Sequence, residues 1–367
     1  MGQDNLGIQG YLAIAEMNNS ILHNLVGNSM RYAVVLSLIL FIMLAVAGCG
    51  SQREDAQTGS GNQSSADVVY RLKWLFNAST VGDLWSRDKG IFARNGLHVT
   101  VKEGGAEHDA IEEIELGRAQ FGVASADQVI RAVSRGADCL VIAQIFQANP
   151  LQWIYNSSRV DFDPARPAES LKRLTIGITY GGNDEAIFMA LAGRLGLDPS
   201  RLHTYAITYD YTPFWKGEVD LWPCYRNTQG ITLQDKMSRM GDRAGFLDPC
   251  RYGVRFVANS LVTSRKYARS HRWIVRLFRK AVIDGWRQAL MPKNLDQAAA
   301  ILARYEKGLN TSILKRQIQA TARLVQGNEG HAPGYIDINA WHQTEEIMFN
   351  QGLIKKRVDV DGLMKLE

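Results

Sequence analysis

Two stretches of this 367-residue chain carry residue types suited to holding a small molecule. Tyr180-Gly181-Gly182-Asn183 sets two glycines at a strand-to-helix turn, where backbone N–H groups meet an anionic or strongly polar group at the positive end of a helix. Paired glycines also make ordinary tight turns, and Asn183 or Asp184 equally suits a helix cap. The second stretch, Trp222-Pro223-Cys224-Tyr225-Arg226-Asn227-Thr228, mixes aromatic faces with amide and hydroxyl groups. Trp74 to Thr80, which includes Asn77, and Ser125-Ala126-Asp127-Gln128 have the same polar and aromatic character. Trp74, Phe76, Trp153, Tyr180, Tyr209, Tyr211, Trp222 and Tyr225 offer faces between which a planar heterocycle stacks, and several of them must instead be core. Asp210 is an acceptor for an amino-pyrimidine or a ribityl hydroxyl, or the cap of a turn.

Catalytic constellations are thin. The chain has no Walker loop, HExxH, GxSxG or GxGxxG motif. His98, His108, His203, His271, His331 and His342 are scattered, with no metal-ligand spacing among them, so neither a metal nor a cofactor is expected. Beyond Cys49 the cysteines are Cys139, Cys224 and Cys250, an odd number without CxxC spacing, and a Cys224–Cys250 bridge stays open. A net charge of +5, with acids and bases interspersed, argues against nucleic acid.

The elements that must position these residues alternate between periods of two and 3.6. Val68 to Leu75 alternates as a strand, Asp83 to Asn95 reads as a helix, and His98–Val101, Phe121–Ala124 and Leu140–Ala143 read as strands separated by helices at 109–117 and 127–135. After a proline-containing connection at 161–167, Leu174–Thr179, Leu202–Ile207 and Val219–Trp222 read as strands around a helix at 182–195. Phe256–Thr263 reads as a returning strand. From His271 the pattern is helical, with Trp273, Ile274, Leu277, Phe278, Ala281, Val282 and Trp286 on one face. Its basic outer face suits solvent better than a membrane. Alternating strands and helices imply parallel sheets flanked by helices, an α/β class, with ligands at the carboxyl ends of the strands. The expected division is lobe 1 over 67–160 and 257–367 and lobe 2 over 161–256.

Met30 to Cys49 combines a charged start, an apolar run shorter than a bilayer span, and Val46-Ala47-Gly48-Cys49, which resembles a lipobox. Residues 1–48 therefore read as an export signal whose true start is Met30, with Cys49 lipidated. Residues 49–66, rich in Ser, Gly and Gln, read as a flexible tether.

Asp88-Lys89-Gly90-Ile91-Phe92, Asn95-Gly96-Leu97, Gly104-Gly105, Phe121 to Gln128, Ala143 to Pro150, Ile176 to Glu185, Tyr209 to Pro213, Gly217 to Asp220 and Tyr252-Gly253-Val254 together resemble ABC-transporter substrate-binding proteins of the nitrate/sulfonate/bicarbonate and thiamine-pyrimidine-synthase-like superfamily. The resemblance runs from about Val68 to Leu353. It implies a type II periplasmic-binding-protein fold, two α/β lobes closing on a small-molecule ligand in the cleft between them, with an ABC permease and ATPase as partners. It also implies a lipid-anchored receptor on the extracytoplasmic face, or in the periplasm, that is not an enzyme. Gly181 to Glu185, Tyr209-Asp210 and the Trp222 to Thr228 loop look most like the branch that takes up thiamine pyrimidine precursors or riboflavin. Trp74, Asn77, Ser125, Asp127, Gly181, Gly182, Asn183, Tyr209, Asp210, Trp222 and Tyr225 are the expected cleft residues. The alternatives are a sulfonate, nitrate or other small-anion receptor, a sensor ectodomain, and a thiamine pyrimidine synthase-like enzyme using pyridoxal phosphate and iron. That enzyme needs a cleft lysine for a Schiff base, and an alternating first strand points Lys73 opposite to Trp74.

Overall fold

The computed structural model describes residues 66–365 apart from Ala106, Tyr209, Asn328 and Glu329. The export signal, Cys49, nearly all of the tether and the candidate Tyr209 lie outside the described residues. The chain runs β1 (Ala66–Arg71), α1 (Val81–Asp88), α2 (Ile91–Arg94), β2 (Leu97–Lys102), α3 (Ala110–Glu115), β3 (Phe121–Ala124), α4 (Ala126–Ser134), β4 (Leu140–Gln144) and β5 (Leu151–Asn156). It continues through α5 (Pro167–Leu171), β6 (Ile176–Ile178), α6 (Asn183–Arg194), β7 (Thr204–Ala206), α7 (Thr212–Lys216), β8 (Trp222–Tyr225), α8 (Gln229–Arg239) and β9 (Ala244–Leu247). β10 (Ser260–Thr263) then leads to the helices α9 (Arg265–Ser270), α10 (Arg272–Ala289), α11 (Leu295–Leu302), α12 (Thr311–Gln326) and α13 (Ile338–Asn350).

The first sheet has the order β2-β1-β3-β10-β4. β1 pairs in parallel with β2 and β3, whereas β10 runs antiparallel to both β3 and β4. The expectation of purely parallel sheets therefore fails at β10, which brings the chain back from the second sheet and enters from the opposite end. The second sheet, β8-β5-β9, is antiparallel, and the parallel pair β6-β7 adjoins it through a bridge between Ile176 and Leu221. β5 belongs to this second sheet, so the changeover lies at 145–150, ahead of the proline-containing connection at 161–167.

Element boundaries follow local chemistry. The helix expected over 83–95 is two helices, because Gly90 takes φ +64° between them. The strand expected at 219–222 lies at 222–225, and it holds Pro223 because β8 is a sheet edge where a missing donor is tolerated. On α10, Trp273 is exposed instead of joining the apolar face, which is carried by Ile274, Val275, Phe278, Val282 and Trp286.

Two features tie the sheets to their helices. Gln144, fully buried, accepts hydrogen bonds at Oε1 from Trp341 Nε1 and Asp337 N, each 3.1 Å, fixing α13 to the end of β4. Asp83 on α1 accepts from Tyr70 Oη at 2.9 Å and Trp286 Nε1 at 3.2 Å, joining α1, β1 and α10. Burial pushes the Asp83 carboxyl up to about 7, against the lowering effect of these two donors.

The unfolded chain ionises Asp83 near 3.8 and the folded chain only near 7, so folding is opposed increasingly as pH rises between these values and fully above the upper one. Asp83→Asn keeps an acceptor for Tyr70 and Trp286 and removes the charge. Relative to wild type, its denaturation free energy should improve on going from pH 4 to pH 8 by on the order of a few kcal/mol. Equal pH slopes for the two proteins in urea denaturation would contradict the account.

Candidate functional site

The loops at the ends of β1 and β3, the β6–α6 turn and β8 with its following loop converge on a cavity of about 1000 Å³. It brings together Trp74, Asn77 and Asp127 from the first-sheet side with Gly181, Gly182, Asn183, Trp222 and Tyr225 from the second-sheet side. Ser125 and Asp210 are not in its lining. Ser125 is fully buried and forms a capping box with Gln128 at the start of α4, which satisfies orphan helix donors. Asp210 Oδ1 accepts from Thr212 N at 2.9 Å and Thr212 Oγ1 at 2.7 Å, and these bonds hold its carboxyl below the ordinary aspartate range. It caps a turn.

Several lining residues have structural duties as well. Asn77 Oδ1 accepts from Ser79 N at 2.8 Å, capping a short 3-10 turn over 78–80. Trp222 is only 2% exposed and packs against Tyr211 and Phe214 in a small apolar cluster, so its role in the lining is confined to an edge. Asp127 Oδ1 accepts from Asn183 Nδ2 at 3.4 Å across the cavity.

The glycine turn is organised differently from the expectation of free amides facing a ligand. Gly181 N donates to Glu185 Oε2 at 2.7 Å, Gly182 N to the Thr179 carbonyl at 2.8 Å, and Thr179 N to Asp184 Oδ2 at 2.6 Å. The chain's own carboxylates thus occupy two of these three donors, and a backbone carbonyl the third. Burial pushes the Asp184 carboxyl up to about 6, with the Thr179 amide opposing. Gly181 needs its φ of +79°, and a Cβ at Gly182 would stand 2.7 Å from both Asp184 Oδ1 and the Thr179 carbonyl.

Lys73 also lines the cavity, contrary to the register expectation. The β1 ladder ends at Arg71 opposite Lys102, so alternation no longer governs residues 72–74 as the chain bends. Lys73 Nζ donates to Tyr225 Oη at 3.1 Å. Desolvation lowers its pKa, but Tyr225, Asp127 and Asp109 together hold it above the ordinary lysine value. Tyr180, 58% exposed, stands at the rim, and Tyr211, Ser79 and Asn259 complete parts of the wall. Ser79 and Asn259 carry no sequence motif, while Tyr211 was visible only as one aromatic among many.

Cys139, Cys224 and Cys250 are free thiols, and burial pushes each up to about 12. Among the described residues no three His, Cys, Asp or Glu side chains form a group able to hold a metal. No helix among them is long and apolar enough to cross a membrane.

A polar and aromatic cavity between two α/β sheets defines a protein with the periplasmic-binding-protein fold. The structure is similar to the alkanesulfonate-binding protein SsuA from Xanthomonas axonopodis pv. citri bound to MOPS, with TM-score 0.61, 15% identity, and coverage of 82% of this chain and 98% of that one. It is also similar to the periplasmic aliphatic sulphonate binding protein SsuA from Escherichia coli, with TM-score 0.63, 13% identity, and coverage of 82% and 97%. The desulfurization enzyme DSZB shares the fold at TM-score 0.55 and 13% identity, with 82% of this chain and 97% of that chain covered. The chain belongs to the NMT1/THI5-like family, whose model matches residues 77–294, more than half of its length. No curated protein sequence matches it. Since both binding proteins and an enzyme share this fold, the cavity's own residues must discriminate among functions.

The turn gives a direct test. Gly182→Ala forces a methyl group against the Thr179 carbonyl and should lower stability by about 1–3 kcal/mol, with Gly181→Ala costing about 1 kcal/mol through its left-handed backbone. Chemical denaturation reads both, and an unchanged midpoint for Gly182→Ala would remove the close-approach argument.

Proposed function

We propose that this chain is the solute-binding component of an ABC importer, held at the extracytoplasmic membrane face by lipid on Cys49. It captures a small planar heterocycle of the thiamine-pyrimidine or riboflavin kind and delivers it to a permease driven by an ATPase. Family membership and the fold support the receptor class. The observation that carries the choice of ligand is the turn at 179–185, where Asp184 and Glu185 accept from the amides of Thr179 and Gly181 and so set two carboxylates beside the start of α6. An oxyanion placed there would face carboxylates. A neutral ring with donor and acceptor edges meets no such repulsion, and the half-buried Trp74 and Tyr225 offer it aromatic surface.

Capture works through differential contact. A ligand that touches Trp74 and Asp127 on one side and Tyr225 and Asn183 on the other favours the conformation in which both sides meet it. That conformation is the one presented to the permease.

Isothermal titration with hydroxymethylpyrimidine, formylaminopyrimidine, riboflavin, ethanesulfonate and nitrate should give heat with a heterocycle and none with the two anions. Binding of an anion alone would overturn the reading. For the anchor, Cys49→Ala should move the protein from the membrane fraction to the soluble extracytoplasmic fraction. Unchanged fractionation would remove lipidation from the proposal.

A further inference from the structure

Lys73 is a half-buried cavity cation most of whose donors the protein itself leaves unused. An ammonium has three N–H donors, and among the described residues Lys73 directs one to Tyr225 Oη and forms no ion pair. Carboxylates are nearby without being paired to it: Asp127 and Asp109 share the cavity wall and contribute to holding the lysine protonated. Asp109 is already engaged by the amides of Ile111 and Glu112 and by Gln128 Nε2. A protonated lysine is a donor and not a nucleophile, so its place in the cavity does not by itself make a Schiff-base site.

The surrounding charge limits what this donor can receive. Asp109, Asp127, Glu112 and Glu115 all line the same cavity, and Arg131 and Arg135 are the other cations in it. The charges that act on Lys73 itself are the carboxylates Asp127 and Asp109, so an anionic ligand group bonded to the lysine would be repelled by these two, whereas a carbonyl oxygen gains the same hydrogen bond without that repulsion. Asp127, which accepts only a weak 3.4 Å contact from Asn183 among the described residues, can accept from an amino or ring N–H group on the same ligand.

We propose that Lys73 is a specificity-determining residue that takes an uncharged carbonyl oxygen of the bound heterocycle, with Asp127 taking an adjacent N–H, so that the ligand is an amino- or imide-bearing ring with a carbonyl group. This deepens the uptake reading above and rests on it. The experiment is titration of wild type, Lys73→Gln and Lys73→Met with riboflavin, formylaminopyrimidine and MOPS at low and high salt, after thermal melts establish that each variant folds. Glutamine still donates to a carbonyl, so Lys73→Gln should retain heterocycle affinity within about fivefold, while Lys73→Met should lose roughly 10- to 100-fold. Heterocycle affinity should be nearly independent of salt.

Heterocycle binding that Lys73→Met leaves unchanged would overturn this assignment and leave the uptake reading standing. Heterocycle binding that weakens steeply with salt, and that Lys73→Gln loses as fully as Lys73→Met, would mean that the lysine reads a charge instead. Binding of MOPS alone, or of none of the probes, would overturn the uptake reading and this assignment together. Should Lys73→Met fail to fold, the contrast between wild type and Lys73→Gln, read against salt, still decides between charge and carbonyl.

Discussion

Backbone donors along the cavity wall must find acceptors, whether from the chain, from water or from a ligand. At the β6–α6 turn the need is met from within: the amides of Thr179, Gly181 and Gly182 are all taken, two of them by the carboxylates of Asp184 and Glu185. The positive end of α6, which in other arrangements attracts anions, here has two acids of its own in the first turn to offset it. Positive charge in the cavity must therefore come from side chains, and Lys73 is the one tied across it to Tyr225.

Sheet topology explains why those side chains meet. Parallel pairing of β1 with β2 and β3 puts the carboxyl ends of β1 and β3 on one edge, which brings the 72–80 loop and the start of α4 together. Antiparallel pairing of β5 with β8 aligns Leu151 with Tyr225 and Trp153 with Pro223, setting the start of β5 beside the loop that follows β8. Polar contacts then span the space: Lys73 to Tyr225, Asp127 to Asn183, and Ser79 to Asn227 at 2.9 Å. The Thr321 hydroxyl donates to the Gln317 carbonyl, so its oxygen can only accept from Asn227 Nδ2, which fixes the orientation of that amide.

Much of this was legible in the sequence wherever local signals agreed. Phe121–Ala124 lies where its apolar run places it, because Ser125 caps the helix that follows. Gly96, Gly136 and Gly196 end helices as glycine at positive φ should, whereas Gly90 splits the helix expected over 83–95. β5 and β9 carried no usable pattern: β5 is buried on both faces, and β9 contains Gly245, which leaves room for the ring of Tyr155. Asn77, Ser125 and Asp210 illustrate a second kind of failure. Their short polar side chains suit a ligand and a cap equally well by type; backbone amides claim Asn77 and Asp210, the Ser125 hydroxyl donates to Gln128 Oε1, and only Asn77 is left in the cavity wall. Lys73 escaped because alternation predicts direction only while the ladder lasts, and it ends two residues earlier.

The two sheets are joined by chemically different seams. Behind the cavity a single apolar cluster contains Val129 and Ile130 of α4, Ile187 and Leu191 of α6, and Trp341 and Met348 of α13. Separating those surfaces would expose apolar area that water does not reward. On the cavity side the joining contacts are chiefly hydrogen bonds, each replaceable by water at a net cost of about 1 kcal/mol, beside the Arg316–Asp235 ion pair and a small apolar cluster of Ile231, Ile313 and Ala320. The carbonyl oxygens of Asn227, Asn259 and Gln317 are buried there without a described partner, which makes that side costlier still to keep shut. A body held tightly at the back and weakly at the front has its compliance at the cavity mouth. A ligand that supplies contacts to both walls would therefore act on the seam with the least intrinsic strength.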